Sequence, residues 1–156
     1  MARSEAMQKR RETVRFVAFV IRASWCVLAL SSSGCDSEKR ARAEAAEVLE
    51  RIARLDPSAP VAARRAAIAE VSAVPLSDPE LDALRAVCLK AHQGLLDAEV
   101  TQGEVRTALD GSPPPSPDRL PALQAKMEQA TATLVAAQAA LTTCEARSRD
   151  ATVRYR

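Results

Sequence analysis

The sequence predicts an all-α fold, a small helical bundle dominated by a long antiparallel helical hairpin. Three observations carry that expectation. From Asp36 onward apolar residues recur at spacings of three and four, with no alternating β-branched run and no Asn-Gly turn. The nine prolines fall at the joints of the periodic segments rather than in their middles. The two longest apolar stripes also match one another in antiparallel register.

The first helix is expected from about Ser37 to Leu55, with Ala41, Ala45, Val48, Ile52 and Leu55 forming one narrow stripe. Asp56-Pro57-Ser58 ends it. A shorter second helix follows from about Ala59 to Ala73, with Val61, Ile68 and Val71 on its apolar side, and Val74-Pro75 stops it. The third, over about 77–109, opens on Ser77-Asp78-Pro79-Glu80, a capping-box pattern with proline in the first turn. Its stripe is Leu81, Leu84, Cys88, Ala91, Leu95, Ala98, Gln102, Val105 and Leu109. Gly94 and Gly103 read as weak points, each costing about 1 kcal/mol relative to alanine. The loop DGSPPPSPD, Asp110 to Asp118, has polyproline character. The fourth helix, about 118–150, carries Leu120, Leu123, Met127, Ala130, Leu134, Ala137, Leu141 and Cys144, a coiled-coil seam.

Residues facing each other in an antiparallel hairpin have numbers that add to a constant. Taking 232 sets Ala98 on Leu134, Leu95 on Ala137 and Ala91 on Leu141, so a large residue meets a small one in each layer. The same register sets Cys88 on Cys144.

Composition separates the chain at Cys35. Of four aromatics, Phe16, Phe19 and Trp25 precede it, leaving only Tyr155 beyond. A domain so poor in aromatics is expected to be thin and short of pockets. Residues 1–34 hold six basic and two acidic residues, a net charge of +4; the remainder holds sixteen basic and eighteen acidic, a net of −2. The basic excess lies in the leader, and the domain lacks the basic face that nucleic-acid binding requires.

The leader has the layout of a secretory signal. A basic segment, QKRRETVR, precedes the apolar FVAFVIRASWCVLAL, then small residues and Cys35. Phe16 to Leu30 is short of the roughly 20 apolar residues of a membrane span and contains Arg22. Ser33-Gly34-Cys35 after Val27-Leu28-Ala29-Leu30 resembles the lipobox of bacterial lipoproteins, with Ser32 at the −3 position where that class carries leucine. The resemblance covers the leader alone. It implies cleavage after Gly34, with Ser33 and Gly34 as the small residues the enzyme requires, and lipid on Cys35. Several acyl chains would anchor the protein firmly, at about 0.8 kcal/mol per buried CH₂. The chain then divides into a signal peptide, 1–34, and a helical envelope domain, 35–156. Asp36 resembles the inner-membrane retention signal of some lipoproteins, a rule that varies between lineages and leaves the choice of membrane open.

Two candidate sites follow from the residues of the domain. Cys88 and Cys144, facing in an exported protein, are expected to form a disulfide, with reduced buried thiols as the alternative. Closing a loop of roughly 57 residues would stabilise by about 4 kcal/mol. Cys88 and His92 stand at i, i+4, and Cys144 would be a third ligand, so Cys88, His92 and Cys144 are the candidates for a metal. With one histidine and no CxxC that pattern is thin; His92 reads as a solvated flanking residue, and no metal is expected. There is no Gly-rich phosphate loop and no GxSxG, and the carboxylates lie among helical basic residues, as in Glu47–Arg51 and Glu50–Arg54. The expected protein is therefore not an enzyme. It is a membrane-tethered envelope lipoprotein with a structural, adaptor or assembly role, no cofactor beyond the lipid, and a protein partner or self-association. The alternatives are a small ligand- or metal-binding periplasmic protein and, without a working leader, a cytosolic coiled-coil regulator.

Overall fold

A computed structural model describes residues 33–156; the expectations for residues 1–32 lie outside the described residues. Those described form four α-helices and no strand: α1 Ser33–Ala53, α2 Val61–Ser72, α3 Pro79–Leu109 and α4 Leu120–Arg154. The all-α bundle with a long terminal hairpin and two shorter preceding helices is the fold the periodicity predicts. The chain divides into two compact units between Arg40 and Ala41. Residues 33–40 are the opening turns of α1, and the packing below belongs to Ala41–Arg156.

α1 buries Ala45, Val48 and Ile52, with Leu55 just beyond its end, so its narrow stripe is a core face. Glu47–Arg51, at 3.0 Å, and Glu50–Arg54 pair along its exposed side. The turn after it is held by Asp56, whose Oδ1 accepts from the Ser58 amide at 2.8 Å and the Ser58 hydroxyl at 2.7 Å. α2 buries Ile68 and Val71, and also Arg64.

α3 begins one residue later than a capping box on Ser77 would start it. Asp78 is the N-cap, extended at φ −82°, ψ 119°, and its Oδ1 accepts from the Glu80 amide at 2.8 Å. Pro79 sets the first helical φ without needing a hydrogen-bond partner. Ser77 is released for another task. Its amide, at 2.8 Å, and its hydroxyl, at 2.7 Å, donate to the Glu44 carboxylate, which also accepts from the Asp78 amide at 3.3 Å. A carboxylate from α1 thus sits at the positive end of α3.

α3 packs along α4, and α2 also packs on α3. α3 therefore needs two apolar faces. The expected stripe supplies one: Leu81, Leu84, Cys88, Ala91, Ala98 and Val105 are buried. Leu95 of the expected stripe is half-buried, and its neighbour Leu96, outside that stripe, is also buried at 4% exposure. On α4 the small seam residues Ala130, Ala137 and Cys144 are buried, with the larger ones half-buried around them. At the tip the seam opens: Leu109 and Leu120, both in the expected stripes, are each 46% exposed. The tip itself runs through a 3₁₀ turn at Pro117–Arg119 into α4.

Gly94 is not a weak point. A Cβ built on it would lie 2.9 Å from the Ala137 Cβ. The two backbones approach there because neither residue carries bulk. Ala137 faces Gly94, one residue from the expected Leu95. Gly103 has nothing within 4 Å of such a Cβ and keeps its reading as a helix-weakening residue.

Candidate functional site

Cys88 and Cys144 are bonded, with Cα atoms 4.9 Å apart and a sequence separation of 56. Both residues are buried, at 0% and 3% exposure. The pairing read from the register is present, and it joins the hairpin layer that also carries the α1–α2 core. In this state neither sulfur is the thiolate that a metal takes as a ligand. Among the described residues no group of three His, Cys, Asp or Glu is arranged to hold a metal ion.

His92 departs from its reading as a solvated residue. It is 9% exposed, in the seat where α2 meets α3. The cause is position: His92 lies one turn after Cys88, on the side of α3 that meets Arg64, Ala67 and Ile68 of α2. Across from it is Arg64, 7% exposed, whose Nη1 donates to the Glu99 carboxylate of α3. Leu55, Asp56, Ala67 and Ile68 complete the seat, which leaves a gap of about 10 Å³, room for one water at most. Burial above all, and then the Arg64 charge, hold the His92 imidazole below its ordinary 6.5. Asp56 is likewise held low, first by its hydrogen bonds from Ser58 and last by Arg64. Glu99 is the ionic partner of Arg64 and remains 59% exposed.

Arg64 was legible in part. Val61, Arg64, Ile68 and Val71 keep the 3-4-3 spacing of a buried stripe. A basic residue in that row is a signal of a buried ion pair, because an unpaired buried charge is too costly to keep.

At the end of the hairpin where α3 begins and α4 finishes, Tyr155 donates its hydroxyl to Asp78 Oδ2 at 2.6 Å. Its phenol is pushed above its ordinary 10, by burial first and the Asp78 bond second. Arg154 pairs with Glu80 nearby. A half-open cavity of about 320 Å³ lies here, its polar walls formed by Glu80, Arg147, Asp150, Arg154 and Tyr155. With both signs of charge, it favours neither an anion nor a cation.

Cys35, Ser33 and Gly34 fall in the opening turn of α1, and their side chains lie outside the described residues. Among the described residues no helix is long and apolar enough to cross a membrane. Comparison with protein-family models, with curated proteins and with solved structures finds no match.

Proposed function

We propose that this chain is a small envelope lipoprotein, tethered by lipid on Cys35, whose helical domain works by contact as a structural, adaptor or assembly part. The observation that carries the reading is the order of the leader: basic segment, apolar segment, Ser33-Gly34-Cys35. The Cys88–Cys144 bond supports it, because disulfides persist in oxidising compartments such as the bacterial periplasm. Long apolar seams with a sparse aromatic content suit a protein that binds through helix faces.

The ligand-binding alternative has one feature in its favour, the cavity of about 320 Å³ at the hairpin end. Its Arg154 already answers to Glu80. The metal alternative requires Cys88 and Cys144 as thiolates, and they are joined to each other.

The test is the intact mass of the protein from the membrane fraction of cells fed labelled fatty acid. A chain starting at Cys35 with acyl mass and label is expected, and Cys35→Ser should lose both. An unprocessed, unlabelled chain overturns the lipoprotein reading.

A further inference from the structure

We propose that His92 and Arg64 form an acid-sensitive clasp: with His92 neutral it holds α2 on α3, and protonation of the imidazole loosens α2. The inference is independent of lipid attachment.

The argument begins with the charges in the seat. Arg64 on α2 is a permanent cation, 7% exposed. It pairs with Glu99 on α3, a carboxylate that is 59% exposed. From the α1–α2 turn the seat receives Asp56, and that carboxylate already accepts two hydrogen bonds from Ser58. A protonated His92 would be a second cation facing Arg64. The gap both residues line, about 10 Å³, has room for one water at most. A group that must stay neutral in a buried seat opposes its own protonation. The lowered affinity of His92 for a proton agrees with this geometry.

The sign follows from linkage. Folded His92 takes up a proton only below its ordinary 6.5, whereas His92 in an opened α2 takes it up at that ordinary value. The clasp is therefore at full strength above about 6.5, weakens as pH falls toward the lowered value, and weakens no further below it. α2 is the element released because it is short, 12 residues, and lacks a side-chain N-cap bond. The hairpin beneath it is held by the Cys88–Cys144 bond. Release bares Ile68 and Val71 of α2 and the faces they cover. Acid is thus converted into exposed apolar surface on a protein that works by contact.

Hydrogen exchange of the detergent-solubilised full chain at about pH 7.5 and about pH 5, corrected for intrinsic rates, tests this. Protection over 61–72 should fall by up to about tenfold for each pH unit by which His92 is depressed, while the hairpin core holds. His92→Gln should keep α2 protected at both values. An equal loss in His92→Gln, or no loss in the wild type, overturns the clasp. Should His92→Gln not fold, the imidazole C–H titration of the wild type decides. A midpoint below 6.5 that coincides with shifts of the α2 amides supports the clasp, and a midpoint at or above 6.5 overturns it.

Discussion

Replacing Gly94 by alanine should destabilise the protein, although helix propensity alone says the reverse. An interior Gly→Ala change raises helix propensity by about 1 kcal/mol. Against this, the new Cβ would stand 2.9 Å from the Ala137 Cβ. Ordinary carbon contacts lie at about 3.5–4.0 Å, so the helices must part by roughly 0.6 Å or more. They are not free to part as rigid bodies, because the disulfide six residues earlier holds the Cα atoms of Cys88 and Cys144 at 4.9 Å. Overpacking of this kind costs about 1–3 kcal/mol, and Ala91 and Ala98 on either side are sealed to 0% and 1% exposure. The net expectation is a loss of about 1 kcal/mol. Gly103→Ala is the control: nothing lies within 4 Å of its Cβ position, so it should gain about 1 kcal/mol. Urea unfolding followed by circular dichroism measures both. Gly94→Ala combined with Ala137→Gly should recover part of the loss, since the two residues share one contact. A Gly94→Ala protein as stabilised as Gly103→Ala would refute the close approach.

Two further outcomes follow from the same structure. Reducing Cys88–Cys144, or changing both to serine, should lower unfolding stability by at most about 4 kcal/mol, read as a drop in denaturant midpoint; an unchanged midpoint would mean the bond constrains nothing. Tyr155 keeps its proton more tightly when folded, so its contribution is present below about 10 and is lost as pH rises through its raised value. Tyr155→Phe should remove that alkaline dependence and cost about 0.5–1.5 kcal/mol at neutral pH. Equal alkaline loss in both proteins would place the sensitivity elsewhere.

The contrast between Cys88 and His92 shows what kind of information a sequence carries. Both stand on α3, four residues apart. Cys88 could be paired because its partner lies on the next helix, and two seams in one hairpin constrain each other's register. His92 faces α2, a 12-residue helix whose placement no seam specifies. His92 stands one turn after Cys88 of the main stripe, so a single-seam reading takes it for the flank of that stripe. Ser77 and Glu44 show the same limit. The local pattern allows Ser77 to cap its own helix, and only the arrival of a carboxylate from α1, 33 residues earlier, draws its amide and hydroxyl elsewhere.

The sequence by itself determined what depends on local spacing. That comprises four helices, their approximate ends, the antiparallel hairpin and the facing of Cys88 and Cys144, because period, proline punctuation and register are read along one or two adjacent segments. The tertiary structure alone decided what depends on a third element. It gave α3 a second buried face, made Gly94 a point of close approach to Ala137, and set Arg64 with Glu99 beside a buried His92. The physical reason is that burial and charge compensation depend on which surfaces meet, and helix periodicity specifies a face without naming what covers it.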